Sequence, residues 1–281
     1  MAELSGSVER LIDLALEEDL SLGDVTSEAT IPADAAGTGR FLAKDDLVLA
    51  GTAVAARVFE RLGATCRFDG PDGTPFRKGQ FLGEAAGPLR ALLAAERTAL
   101  NFLQRLTGVA TATRRAAEAL GAGGGTTRLL DTRKTTPGWR RLEKDAVRAG
   151  GGVNHRFSLG DGLLIKDNHV AACAGVGEAV RRARARGNAM LRVEVEVVDL
   201  PGLEEAIGAG ADIVLLDNMD DATMAEAVRR ARGRVLLEAS GNMTLERLPR
   251  VAATGVDYVS MGALTHSAPA ADISFEVEPA R

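Results

Sequence analysis

Cationic side chains recur where short apolar runs end, in the C-terminal two thirds of the chain. Arg133 and Lys134 stand in Asp131-Thr-Arg-Lys-Thr135, and Arg140 lies nearby. His155 and Arg156 follow the glycine-rich stretch Gly150-Gly-Gly-Val-Asn154, and Lys166 directly follows Leu163-Leu-Ile165. Cations gathered in one cleft repel each other unless bound anions compensate them. Arginine forks suit planar carboxylates and phosphates. Opposite in charge stand Glu196 and Asp217. With a substrate diphosphate, two such carboxylates suit Mg²⁺, which prefers oxygen ligands. Ser240-Gly241 and Gly262 offer backbone amides at strand-to-helix turns, a common phosphate cradle. The chemistry expected is therefore the handling of an anionic substrate beside a metal-held diphosphate.

Each residue also has a plainer reading. Arg133-Lys134 alone serves equally well as a solvated loop pair. The Lys166 stem, after three apolar residues, is expected to be buried and to need a partner. His169 reads equally as a structural histidine that orients a strand end. His266, between Thr265 and Ser267, suits either a surface loop or a phosphate contact. Glu194 and Glu196 share one strand face by the period of two, so both should point into the fold while Val193, Val195 and Val197 face outward helices. Trp139 reads as packing. The acidic run Glu17–Asp24 reads as a solvated turn. Gly121–Gly125 is a flexible loop, since no Lys-Ser/Thr closes it and no strand leads into it.

The elements that must position these residues alternate. Strands are expected at 127–131, 163–166, 191–197, 213–217, 235–239 and 258–261. Helices are expected at about 138–150, 171–187, 200–209, 220–232 and 244–253. This repeat predicts parallel strands joined by helical crossovers. Strand cores that are nearly all apolar predict a sheet covered on both faces. Six such ends would converge on one rim of a barrel or partial barrel, where active sites form. The first third is mixed. Val8, Leu11, Ile12 and Ala15 predict a helix capped by Ser7, and two short strands are expected within 38–52. A helix over 53–62 and a strand over 64–69 follow, and turns are expected over 70–88. The leucines of 89–107 predict a strong helix, broken at Thr107-Gly108 and followed by a second over 109–120.

The chain has 281 residues and a net charge of −5, so no global basic field holds nucleic acid or an anionic membrane. Cys66 and Cys173 stand far apart and predict neither a disulfide framework nor a zinc site. Neither a signal pattern nor a spanning apolar run is present, so a soluble cytoplasmic protein is expected.

Together the motifs resemble the quinolinate phosphoribosyltransferase family, over almost the full chain. They are Glu17-Glu-Asp-Leu20, Gly23-Asp-Val-Thr26, Glu96-Arg-Thr-Ala-Leu-Asn-Phe-Leu-Gln104, Gly108-Val-Ala-Thr111 and Asp131-Thr-Arg-Lys-Thr-Thr-Pro-Gly138. Gly150-Gly-Gly-Val-Asn-His-Arg156, Leu164-Ile-Lys-Asp-Asn-His169, Leu216-Asp-Asn218, Glu238-Ala-Ser-Gly241 and Gly255-Val-Asp257 follow in order. The resemblance implies an α/β chain: an N-terminal α/β sandwich domain over 1–108, joined by the tail 270–281, and an open, incomplete β/α barrel over 109–269. It implies a homodimer or higher homo-oligomer with a shared site, in which Arg97 is the arginine donated by the partner. It implies that Arg97, Arg133, His155, Arg156 and Lys166 hold quinolinate, and that Lys134 is shared with the phosphoribosyl substrate. Glu196 and Asp217 would face the ribose hydroxyls and Mg²⁺, through substrate or water. Ser240, Gly241, Gly262 and His266 would hold the phosphate end, with Thr132, Asn242, Met261 and Ala263 beside these contacts. Lys134, Lys166, Glu196 and Asp217 are the catalytic candidates.

The implied reaction joins quinolinate to 5-phosphoribosyl-1-diphosphate with decarboxylation, giving nicotinate mononucleotide, CO₂ and diphosphate, in NAD biosynthesis. Three positions depart from the pattern: Asp145 for an aromatic, Gly160 for a small hydroxyl residue and Trp139 for a smaller apolar one. Alternatives are a ModD-like transferase with another acceptor, or a non-catalytic anion-binding protein on the same scaffold. A barrel isomerase or aldolase with a Schiff-base lysine fits Lys166 but leaves the arginines without a task.

Overall fold

The computed structural model describes residues 4–280. By packing, the chain falls into two units: residues 1–114, 135–151 and 264–281 form the first, and residues 115–134 and 152–263 the second.

The first unit holds a four-stranded antiparallel sheet in the order Ile273–Pro279, Ala36–Ala43, Phe81–Pro88, Thr65–Phe68. Along Ala36–Ala43 the burial alternates, as expected for a sheet with one covered face. Phe41 and Phe59 are fully buried and meet edge to face, 5.9 Å between ring centroids, and Phe41 lies 4.5 Å from Phe275 on the next strand. Such aromatic pairs add about 1 kcal/mol each beyond the area they bury. Gly39 makes room for this cluster, because a Cβ there would run into the Phe275 ring.

Three sequence expectations change here. The stretch 70–88 is not all turn: Phe81–Pro88 is a central strand. Gly83 sits there because a side chain would strike the neighbouring Arg67 carbonyl, so its glycine serves close packing between strands rather than a turn. The helix of 89–107 does not break. It runs without interruption over Leu89–Gly121. Gly108 lies against the Pro269 carbonyl, where any Cβ would collide. Thr107 uses its hydroxyl on the Ala50 backbone, accepting from N–H at 3.2 Å and donating to C=O at 3.1 Å. Both residues are thus explained by tertiary packing. The acidic run 17–24 is not one surface turn. Residues 17–20 end the helix Gly6–Leu20, which starts after Ser5 rather than Ser7, and Asp24 caps the helix Val25–Thr30 by accepting the Ser27 N–H at 3.0 Å.

Arg105 links three segments of this unit. Its guanidinium donates to the buried Glu143 carboxylate at 2.8 Å, to the Ala268 carbonyl at 2.8 Å and to the Thr265 carbonyl. Of the three unusual positions, Trp139 stacks on Phe102 with centroids 4.6 Å apart, and Asp145 pairs with Arg141 and Arg148. The Gly160 N–H donates to Ser158 Oγ at 3.3 Å, and nothing in the structure calls for a hydroxyl there. Burial pushes the Cys66 thiol up to about 12, so it is no thiolate nucleophile.

The second unit is a six-stranded parallel sheet. Its order is Arg128–Leu130, Tyr258–Ser260, Leu236–Ser240, Ile213–Asp217, Val193–Val197, Leu163–Ile165. The first two strands in sequence lie at opposite edges, so the barrel is open between them. Helices Leu200–Gly208 and Asp221–Ala231 return the chain between neighbouring strands. Each starts with an aspartate cap: Asp199 accepts the Gly202 N–H at 2.8 Å, and Asp220 the Thr223 N–H at 2.7 Å. The expected helix over 171–187 is divided into Asp167–Ala172 and Val176–Arg186, with Ala174 and Gly175 at positive φ between them. Val193, Val195 and Val197 are buried, as the alternation required. No helix among the described residues is long and apolar enough to cross a membrane.

Candidate active site

The C-terminal ends of the six strands surround a cleft of about 700 Å³ within the second unit. Thr132, Arg133, Lys134, His155, Arg156, Lys166, Glu196, Asp217, Ser240, Gly241 and Asn242 all line it. These residues span more than a hundred positions of sequence, and parallel pairing alone aligns their strand ends: Asp217 is level with Ser240, and Glu196 with Leu215.

One wall is cationic. Arg133 has a buried Nε with no hydrogen-bond partner. A buried guanidinium nitrogen without a partner is costly, and a bound anion relieves it. Arg156 donates from Nη1 to the Gly162 carbonyl at 3.1 Å. Burial, and then the nearby Arg133 charge, hold its pKa below the usual arginine value. Both effects oppose the charge that a bound carboxylate would favour. Lys166 departs from expectation: its side chain is 48% exposed, not buried, and its Nζ meets Glu196 Oε2 at 2.8 Å. The need for a partner was read from burial, and the partner is met at the mouth of the cleft instead. His169 Nδ1 accepts the Lys166 backbone N–H at 2.9 Å, which orients this strand end.

The other wall is acidic and amide-rich. Asp217 accepts from the Asn218 side-chain amide at 2.9 Å, and Asn218 in turn accepts from Asn242 at 3.1 Å. Asn218 and Asn242 both hold positive φ, 54° and 48°, a conformation asparagine tolerates better than most residues. Between them Gly241 sits at φ 92°, where a Cβ would collide with the Asn218 amide. Arg247 ties the two loops together, donating to the Met219 carbonyl at 2.7 Å and pairing with Asp221 at 3.2 Å. The turn at Gly241 is therefore braced on both sides.

Below these walls His155, an expected site residue, meets two glutamates that the site expectations left out. His155 Nε2 lies 3.0 Å from Glu194 and 3.5 Å from Glu238, both buried inside the sheet. Asp131, fully buried, accepts the His155 N–H at 2.8 Å and the Asn154 amide at 2.6 Å. Burial opposes a charged imidazole, while the two carboxylates beside it pull its pKa upward. The Arg156 N–H donates to Nδ1 at 2.7 Å, which opposes a proton on that nitrogen. The amide contact is the stricter constraint, because two facing N–H groups at that distance repel, so the neutral ring protonated on Nε2 fits both neighbours. Glu238 entered the sequence expectations only within the strand-end motif Glu238-Ala-Ser-Gly241, not as a site residue.

Family models match the chain on both sides of residue 108. The N-terminal domain model of quinolinate phosphoribosyl transferase covers residues 24–107, and the C-terminal domain model covers 109–276. The chain belongs to the quinolinate phosphoribosyltransferase family. It is 42% identical to a probable carboxylating nicotinate-nucleotide pyrophosphorylase of Bacillus subtilis, over 96% of this chain and 93% of that protein. It is 38% identical to the mitochondrial decarboxylating quinolinate phosphoribosyltransferase 2b of Nicotiana tabacum, over 96% of this chain and 82% of that protein. Its fold is similar to NadC from Streptococcus pyogenes, with a TM-score of 0.94, 39% identity and full coverage of both chains.

Five of the residues that the quinolinate phosphoribosyltransferase resemblance implied do not line this cleft. Arg97 lies on the helix Leu89–Gly121 of the first unit, beside a pocket of about 270 Å³ that also has Leu14, Glu18, Asp19, Asn101 and Trp139 in its lining. His266, also of the first unit, is exposed and its Nδ1 lies 2.6 Å from Ser267 Oγ. Met261, Gly262 and Ala263 follow the strand Tyr258–Ser260, and the Met261 N–H donates to the Leu130 carbonyl at 3.0 Å.

Proposed function

We propose that this chain transfers the phosphoribosyl group of 5-phosphoribosyl-1-diphosphate to quinolinate, releasing CO₂ and diphosphate and leaving nicotinate mononucleotide, a step of de novo NAD biosynthesis. The observation that carries this reading is one cleft with a cationic wall facing an acidic one, in a chain of this family. Arg133 and Arg156 hold the two carboxylates of the acceptor and so set its ring nitrogen towards the sugar. Glu196 and Asp217 face the sugar, where positive charge grows as the bond to diphosphate breaks. The amides around Gly241 take phosphate oxygens. The pyridine nitrogen attacks C1 of the sugar as diphosphate leaves. The ring nitrogen now carries positive charge, so the adjacent carboxylate leaves as CO₂, its electrons pass into the ring and that carbon takes a proton. The protein's contribution is positioning and electrostatics.

Glu196 and Asp217 also fit Mg²⁺. Both are oxygen donors on neighbouring strands, and the sole ion pair of Glu196 among the described residues is the half-exposed Lys166, which a diphosphate can take over. Bound there with substrate, Mg²⁺ would neutralise part of the diphosphate charge.

A product assay tests the reaction. With quinolinate labelled in the carboxylate next to the ring nitrogen, labelled CO₂ should appear in step with nicotinate mononucleotide. Excess EDTA should abolish both, and Mg²⁺ should restore them. Turnover of nicotinate instead, with no CO₂, would overturn the acceptor assignment.

The family also favours a cytoplasmic homo-oligomer in which Arg97 completes the site of a partner subunit. The exposed Leu14, at 62%, shares a pocket with Arg97 and suits a covering partner. Mixing inactive Arg97→Ala and Lys166→Ala proteins under subunit exchange should recover up to about a quarter of wild-type activity, since half the chains are then in mixed dimers with one intact site each. No recovery despite demonstrated exchange would place Arg97 in its own subunit's site or outside any.

A further inference from the structure

We infer that Glu194 and Glu238 are positioning residues that commit the ring of His155 to the protein, so that His155 shapes the acceptor pocket without giving the acceptor a ring hydrogen bond. The inference deepens the reading that quinolinate is held in this cleft, and it departs from the expectation that His155 is among the residues that hold quinolinate.

An imidazole has two hydrogen-bonding nitrogens. The Arg156 N–H occupies Nδ1 at 2.7 Å, and Glu194 occupies Nε2 at 3.0 Å with Glu238 at 3.5 Å. Neither nitrogen is left for a ligand, whichever protonation state the ring adopts. The backbone is committed as well, through the His155 N–H on Asp131. The ring therefore works as a strut. It joins the strand interiors to the backbone of Arg156, whose guanidinium lies near Arg133 and faces the cleft. Displacing the ring moves the Arg156 amide and with it the arginine.

Apart from each other, the two glutamates pair only with the His155 ring among the described residues. Glu194 and Glu238 are 5% and 1% exposed, they come from strands separated by a third, and each has one oxygen without a partner. Buried carboxylates left half satisfied are costly, and they persist where a cationic or N–H partner over them is needed. The same three residues are spaced closely enough to hold a cation, all ligand atoms lying within 4.8 Å. The two arginines beside them and the amide fixed on Nδ1 favour a ring proton over a metal.

The test uses the full-length enzyme. The chain has three histidines, so ¹⁵N-histidine spectra can be assigned by single substitution. Wild-type His155 should show a protonated Nε2 and an acceptor Nδ1, and saturating quinolinate should leave both signals in place. Glu238→Gln should move the Nε2 signal and raise KM for quinolinate about tenfold, the cost of one lost hydrogen bond to a charged group. Its kcat and its KM for the phosphoribosyl substrate should stay within about twofold. Glu194→Gln serves as the second variant if Glu238→Gln folds poorly. A quinolinate-induced shift of Nε2 as large as that of Glu238→Gln would overturn the inference, as would an unchanged KM or tightly bound stoichiometric metal. Should calorimetry show no saturable quinolinate binding, the substrate reading falls, while the ligand-free spectra still decide whether the glutamates hold the ring.

Discussion

Replacing Arg133 with alanine is expected to lower kcat/KM for quinolinate about a thousandfold while leaving the fold intact. The size follows from what the change removes. A guanidinium in this cleft meets a carboxylate away from bulk water, and deleting one partner of such a pair costs about 2–5 kcal/mol. A thousandfold is about 4 kcal/mol on that scale. The buried Nε without a partner marks Arg133 as a group whose satisfaction waits for a ligand. The fold should not suffer, because Arg133 and Arg156 repel each other in the free protein and removing one relieves the other. Arg133→Lys should recover only part of the loss, since an ammonium lacks the two-pronged geometry. Steady-state kinetics with each substrate varied, alongside a melting curve, read both halves. Unchanged turnover in the alanine variant would remove Arg133 from the site.

Glu143→Ala should lower the melting temperature by about 6–20 °C. Glu143 is fully buried, and its carboxylate accepts from four donors. Arg105 gives two hydrogen bonds, at 3.2 and 2.8 Å, and Thr136 gives two, from its hydroxyl at 2.8 Å and its N–H at 3.0 Å. Breaking a buried pair by removing one member costs about 3–5 kcal/mol, because the other charge is left uncompensated. At about 2–4 °C per kcal/mol for a chain of this size, several degrees follow. Glu143→Gln keeps the shape and loses the charge, so its loss should be smaller. Thermal unfolding followed by circular dichroism measures both. A shift of less than about 2 °C for the alanine variant would show that Arg105 finds other partners.

Much of the second unit is legible in its residues. Apolar runs of five or so, each followed by polar residues and a helical pattern, place all six strands within about two residues. The strand-end residues then fall on one rim because parallel strands joined by helices can hardly do otherwise. Eleven of the expected positions, from Thr132 to Asn242, accordingly line one cleft.

What escaped the residues was decided by contacts distant in sequence. Gly83 and Gly108 look like turn and break, and they are places where another backbone comes close. Lys166 looks like a buried cation, and it reaches the cleft mouth because Glu196, thirty residues on, stands there. His155 looks like a ligand-binding histidine. Only the folded sheet brings Glu194 and Glu238 beneath it and the Arg156 amide beside it. The sequence by itself therefore determined the alternating parallel architecture and much of the rim, since both depend on local period and order, while its motifs carried the family. The tertiary structure decided which rim groups are available to a ligand. Availability depends on what else each donor and acceptor already touches, and those partners lie on strands far apart in the chain.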